Sequence, residues 1–147
     1  MKIFLIPVLL MLSFNIHAAD LLSASNAWIP EAPPVARVMA GYLELKNNSE
    51  RSIELKSITA KDFERVEMHE TISKDGVAKM IKQTSIKIPA QGRVSFKRGG
   101  LHLMLMDPKR KLKRGDSVTL ILKTDETNTE INLIVKEATL DDHSAHH

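Results

Sequence analysis

Between residues 101 and 106 the chain alternates strictly. Leu101, Leu103 and Leu105 occupy one set of positions, and His102, Met104 and Met106 occupy the other. Extended backbone turns successive side chains to opposite faces. This segment is therefore predicted to be a strand with a leucine face in the core and a His/Met face opposite. The same two-residue period runs through residues 38–46, where Val38, Ala40, Tyr42 and Glu44 alternate with Met39, Gly41, Leu43 and Leu45. It returns in residues 117–123, and again in residues 130–136 with Ile131, Leu133 and Val135 on one face. Residues 22–28 predict a first strand. Residues 52–58 predict a further one, with Ile53 and Leu55 sharing a face.

Turn-forming residues separate these segments. Pro30, Pro33 and Pro34 impose a stiff loop, Asn47-Asn48-Ser49 and Gly115-Asp116 read as turns, and Asp75-Gly76 reads as a tight hairpin turn. Residues 60–70 would suit a short helix by composition. An extended reading competes with it: a turn near Lys61 and Asp62, a strand through His69, and short extended pieces at 77–83 and 85–88. Pro89, Gly92 and Gly99-Gly100 punctuate the stretch leading to Leu101. Strand after strand with turns at short spacing predicts an all-β chain folded as a two-layer antiparallel sandwich.

The N-terminal stretch has another character. Lys2 precedes an apolar run from residue 3 to 14, broken only by Pro7 and Ser13, and small residues follow at Ala18 and Ala19. That order is expected of a secretory signal peptide cleaved after Ala18 or Ala19. The run is short for a membrane span, and a retained anchor or an N-terminal core strand fits the order less well. The expected organisation is a signal peptide at 1–19, one β-sandwich domain at 20–140 and a flexible tail at 141–147. The tail carries His143, His146 and His147 beside Asp141 and Asp142, a composition that can take up Cu(II) or Zn(II).

With 147 residues the chain is long enough for one compact domain. Its 21 basic and 18 acidic residues are spread along the sequence, and Lys109, Arg110, Lys111, Lys113 and Arg114 form the one dense group. One Trp and one Tyr, with no interleaving of aromatic and basic positions, give no footing for nucleic-acid binding. There is no cysteine. That excludes thiolate metal sites, a blue-copper thiolate, a thiol nucleophile and a lipidated cysteine. No nucleophile–base order, paired catalytic carboxylates or phosphate loop stands out, so no catalytic residues are assigned and a non-enzyme is expected.

The remaining chemistry lies in histidine and methionine. His102 and Met104 fall ~6.6 Å apart on one face of a strand, a spacing from which an imidazole and a thioether can converge on one ion. The plainer reading is that the methionines fill core space, with His102 a satisfied buried histidine. A second segment weighs against it. His69 precedes the Asp75-Gly76 turn and Met80 comes after it, so a hairpin brings the two near each other. Met68 falls on the opposite face from His69 and is expected in the core.

These residues carry a resemblance to the periplasmic copper chaperones known as PCu(A)C proteins, whose motif is a His, ten residues, a Met, twenty-one residues, then His-x-Met. His69, Met80, His102 and Met104 reproduce it without a gap. The neighbouring Val66-Glu67-Met68-His69-Glu70-Thr71, Ala40-Gly41-Tyr42-Leu43-Glu44-Leu45 and Leu112-Lys113-Arg114-Gly115-Asp116 are similar as well. Arg98 stands where many members have proline. Val35 follows Pro33-Pro34 where glycine is frequent, and Asp107-Pro108 adds bulk after the methionine strand.

The resemblance implies a cupredoxin-like Greek-key sandwich with an exposed Cu(I) site made by His69, Met80, His102 and Met104. It implies a monomeric periplasmic carrier, not inserted in the membrane after processing. Its recipient would be a copper-accepting protein such as a cytochrome c oxidase subunit or its assembly factor. Alternatives are an exported copper-storage or buffering protein, a copper enzyme, and a structural or adhesion domain whose methionines are core. Thioethers are soft, neutral donors that favour Cu(I) over Zn(II), Mg(II) and Ca(II). A cysteine in their place would be open to oxidation outside the cytoplasm.

Overall fold

A computed structural model of the chain describes residues 20–138. The expected signal peptide at 1–19 and the tail histidines His143, His146 and His147 lie outside the described residues.

Among the described residues all regular structure is strand: β1 (Leu22–Pro30), β2 (Val38–Asn47), β3 (Ile53–Ala60), β4 (Phe63–Lys74), β5 (Val77–Gln83), β6 (Ile86–Ile88), β7 (Arg93–Phe96), β8 (Leu101–Pro108), β9 (Ser117–Thr124) and β10 (Asn128–Lys136). They hydrogen-bond in the order β5-β4-β8-β2-β1-β10-β9-β3-β6, with β7 also on β2. This sheet curls around one core. Leu103 and Leu105 of β8, Leu43 and Leu45 of β2, Leu120 and Leu122 of β9 and Leu133 of β10 all belong to it and are buried. Each lies on the apolar set of an alternating segment, so burial of that set fixes which way each strand faces.

The extended reading of residues 60–70 holds, and the competing helix does not form. Asp75 and Gly76 both have positive φ, 54° and 76°, as a two-residue type I′ hairpin turn requires. The β4–β5 hairpin is thereby set in the register Thr71↔Met80.

Three features depart from simple alternation. First, β1 and β10 pair in parallel, at Trp28↔Ile134 and Ile29↔Val135, within an otherwise antiparallel arrangement. Second, β3 carries a register shift between Leu55 and Ser57. The extra residue reverses the facing of the rest of the strand, so Ile53, Leu55 and Ile58 are all buried. Third, Arg93–Phe96 forms a short strand absent from the sequence reading. β7 pairs with the second half of β2 (Leu43↔Phe96) and β8 with the first half (Val38↔Met106). The turn between them is closed by Gly100 N donating to Lys97 O at 3.2 Å. Gly99 takes the positive φ of 72° that this turn needs.

Gly41 gives the room for β2 to pack closely on β8 and on Leu133 of β10. A Cβ there would meet Leu103 Cβ at 3.3 Å and Leu133 Cδ2 at 3.4 Å.

Candidate functional site

The site is built on the outer face of the β5-β4-β8 ladder. The inner face of these strands is committed to the core, since Met68, Leu103 and Leu105 are buried there. Every second residue must therefore point outward. On β4 these are Arg65, Glu67, His69 and Thr71, and on β8 they are His102, Met104 and Met106. Antiparallel pairing sets His69 directly opposite His102, Glu67 opposite Met104 and Arg65 opposite Met106. On the other side of β4, Lys82 is opposite His69 and Met80 opposite Thr71. Met80 is thus a diagonal neighbour of His69, about 7–8 Å away across the ladder and within reach of a long side chain.

The two imidazoles have ring centroids 6.2 Å apart, with their planes inclined by 33°. Nδ1 of His102 is 2.8 Å from the carbonyl oxygen of Gly100. A carbonyl can only accept, so Nδ1 holds the proton and Nε2 keeps a lone pair. Nε2 of His69 is 2.9 Å from Oε2 of Glu67. The other carboxylate oxygen accepts from Lys82 Nζ at 3.0 Å. Hydrogen bonds from His69 first, then from Lys82, hold the Glu67 carboxyl below the usual carboxylate range. As an ionised acceptor it requires the proton on His69 Nε2, and in the neutral ring that leaves the lone pair on Nδ1. That Nδ1 is buried with no hydrogen-bond partner, a state that costs free energy unless something is bound there.

Met80, His102 and Met104 line an open pocket of about 350 Å³, together with Thr71, Tyr42 and Arg98. Met80 is 62% exposed and His102 only 8%. His69 is not one of the walls; it reaches the group through the register with His102. The Arg98 guanidinium lies 5.8 Å from the Trp28 ring centroid and 5.7 Å from that of Tyr42, within range for cation–π attraction. Arg98, one of the departures from the chaperone pattern, is thus among the residues lining the pocket. Met106, third of the stripe, is engaged elsewhere, with Arg65 Nη2 3.0 Å from its sulfur.

Among the described residues no three His, Cys, Asp or Glu side chains form a metal-binding group. The structure thus brings His69, His102 and Met104 onto one face of adjacent strands, with Met80 at the edge. Sequence reasoning missed the two acceptors that set the rings, Glu67 and the Gly100 carbonyl. A signal for the first was present: a carboxylate two residues from a histidine shares its face in any strand.

Residues 22–135 match the family of putative lipoproteins described as LpqE-like. The chain belongs to this family. This LpqE-like chain is 34% identical over 93 residues to the uncharacterized protein RP573 of Rickettsia prowazekii, covering 63% of this chain and 51% of that protein. It is 28% identical over 112 residues to the putative lipoprotein Lxx21020 of Leifsonia xyli, covering 76% and 66%. The chain therefore spans about half to two thirds of the length of these relatives. Its fold is similar to the copper-bound PCuAC domain of PmoF2, with a TM-score of 0.68 and 19% identity, over 83% of this chain and 97% of that one. The Cu(I) form of DR1885 from Deinococcus radiodurans matches with a TM-score of 0.60 and 29% identity, over 83% and 82%. The LpqE-like chain thus has the cupredoxin-like β fold of PCuAC domains.

Proposed function

We propose that this chain is a copper carrier that binds one Cu(I) through Nδ1 of His69, Nε2 of His102 and the thioethers of Met80 and Met104. The observation that carries the reading is the state of the two imidazoles. They face each other across β4 and β8, and each has one nitrogen held in a hydrogen bond and the other left with a lone pair. Metal-bound histidines characteristically donate their second N–H to a carboxylate or a backbone carbonyl, and both do so here. The buried, unpartnered Nδ1 of His69 would gain a bond on loading. The pocket that His102 lines also carries the thioethers of Met80 and Met104, soft donors that favour Cu(I). The similarity to the Cu(I) form of DR1885 supports the same cargo.

The site also suits handover better than storage. Met80 sits on the edge strand β5 and is mostly exposed, so a soft donor of a recipient can replace it first. The other three donors meanwhile retain the ion. The four protein donors are neutral and do not cancel the ion's charge, which keeps the complex releasable. The recipient that the resemblance to PCu(A)C chaperones implies is a copper centre under assembly, such as that of a respiratory cytochrome c oxidase or its assembly factor. The role is transfer of an ion rather than turnover of a substrate.

Anaerobic titration of the folded protein with Cu(I) and Zn(II) tests the reading. One Cu(I) per chain is expected, with much weaker Zn(II) binding. Deleting residues 141–147 is expected to leave Cu(I) binding intact while weakening Cu(II) uptake. No saturable Cu(I) binding would remove the carrier role, and Cu(I) loss on truncation would place a tail histidine among the ligands.

We further propose that the chain is exported to the periplasm and loses its first nineteen residues or so, as the Lys2–Ala19 pattern directs. Membership of a lipoprotein-like family supports an envelope address. N-terminal sequencing of protein recovered from its native compartment is expected to begin at or next to Asp20. A chain beginning at Met1 in the cytoplasm would rule this out.

A further inference from the structure

Strand geometry alone does not make His69 a ligand. A half-buried imidazole on a strand can rotate about two side-chain bonds, and each rotamer presents a different nitrogen to β8. Something must choose among them, and the residues around the ring show what does. Glu67 lies two positions earlier on the same face of β4. One of its carboxylate oxygens takes the His69 Nε2–H at 2.9 Å, which draws the ring back along its own strand. The other takes Lys82 Nζ at 3.0 Å, and Arg65 Nε lies 3.7 Å from that same oxygen. Lys82 is the residue directly opposite His69 on β5, two positions from Met80 and on the same face. The carboxylate thus spans two strands, tying His69 of β4 to the edge strand that carries Met80. Glu67 and His69 are only 16% and 14% exposed, so water competes little for the bond between them, while Lys82 reaches in from solvent.

We infer that Glu67 is the positioning residue of the site: by accepting from His69 Nε2 while its other oxygen is held by Lys82 Nζ, it aims His69 Nδ1 at the metal position, next to the β5 strand that the β4–β5 ladder already places. It is not itself a ligand, because both its oxygens are engaged with these side chains. His102 is held differently. There the backbone carbonyl of Gly100 does the aiming, and no substitution can remove it. On β4 the aiming group is a side chain, so the site has one replaceable orienting contact.

This inference rests on the copper-carrier reading, and its test separates the two. In the copper-free native protein, long-range proton–nitrogen correlation spectra of the imidazoles should show a single His69 form protonated on Nε2. Glu67→Ala should change the His69 nitrogen signals while leaving those of His102 in place. It should also lower Cu(I) affinity by about 10- to 100-fold, the usual effect of losing a group that orients a metal-bound histidine. Affinity is read by anaerobic competition with a chromophoric Cu(I) chelator. Glu67→Gln keeps an acceptor oxygen without the charge and should fall between native and Ala. Glu70→Gln, a nearby exposed carboxylate, should match the native protein.

Native Cu(I) affinity in Glu67→Ala, or unchanged His69 signals in that variant, would overturn the positioning role. Equal losses in Glu70→Gln would reduce it to bulk charge, which also overturns it. If the native protein bound no Cu(I) at all, the carrier reading would fail. The His69 signals of the copper-free variants would still show whether Glu67 fixes the ring.

Discussion

Alanine at both Met80 and Met104 is expected to lower Cu(I) affinity by about 100-fold, or ~2.7 kcal/mol, while Zn(II) affinity changes little. The asymmetry comes from donor softness. Zn(II) is satisfied by the two imidazoles and water, whereas Cu(I) gains most from the thioethers. The double variant should remain folded. Met80 is largely solvated on an edge strand, and Met104 lies on the outer face of β8, away from the leucines that hold that strand to the core. A thermal melt beside each titration checks this. Each single variant should lose less than the double, with Met104→Ala more damaging. Met104 shares a strand with His102, while water can replace the exposed sulfur of Met80. Equal losses for Cu(I) and Zn(II) would mean that the site had collapsed rather than lost its selectivity.

Asn47→Ala is expected to cost about 3 kcal/mol of folding stability, a fall in Tm on the order of 10 °C. Asn47 ends β2 and is fully buried. Its amide nitrogen donates to the carbonyls of Arg51 at 2.7 Å, Ile88 at 3.1 Å and Pro89 at 3.0 Å, and its amide oxygen accepts from Ser49 N and Ser49 Oγ. One side chain therefore joins the end of β2 to the approach to β3 and the end of β6. Truncation leaves those carbonyls short of the donor that Asn47 supplies. Asn48→Ala is the control. Its amide bonds, to Asp20 O and Ser23 Oγ, are exposed, and water can take them over at little cost. A matching loss in the two variants would show that the turn, rather than the buried amide, carries the stability. Chemical denaturation with both variants decides it.

The sequence made the strands legible and left their partners hidden. Alternation at residues 101–106 separated the core leucines from His102 and Met104 because facing within a strand is a local property. The Asp75-Gly76 turn was equally local, and it fixed the hairpin that carries His69 and Met80. Pairing is not local. The parallel contact of β1 with β10 joins opposite ends of the described chain, and no pattern within either strand encodes it. The register shift in β3 hid Ile58 for a related reason: one extra residue breaks the two-residue period. β7 was missed because four residues between Gly92 and Gly99 are too few to display a period. Asn47 read as a turn residue, and nothing around it in the sequence announced three carbonyls arriving from Arg51, Ile88 and Pro89.

The site divides the same way. The His/Met spacing singled out His69, Met80, His102 and Met104, but spacing cannot say that the two histidines meet face to face. The β4–β8 register decides that. Nor can spacing say which nitrogen each ring offers, which depends on Glu67 for one and the Gly100 carbonyl for the other.

X-ray absorption at the copper edge of the anaerobically loaded protein tests the central claim most directly. The account predicts a Cu(I) spectrum with both imidazole nitrogen and sulfur in the coordination shell, and loss of the sulfur contribution when Met80 and Met104 are replaced. A shell of nitrogen and oxygen alone in the native protein would contradict it, leaving the methionines as surface and filler.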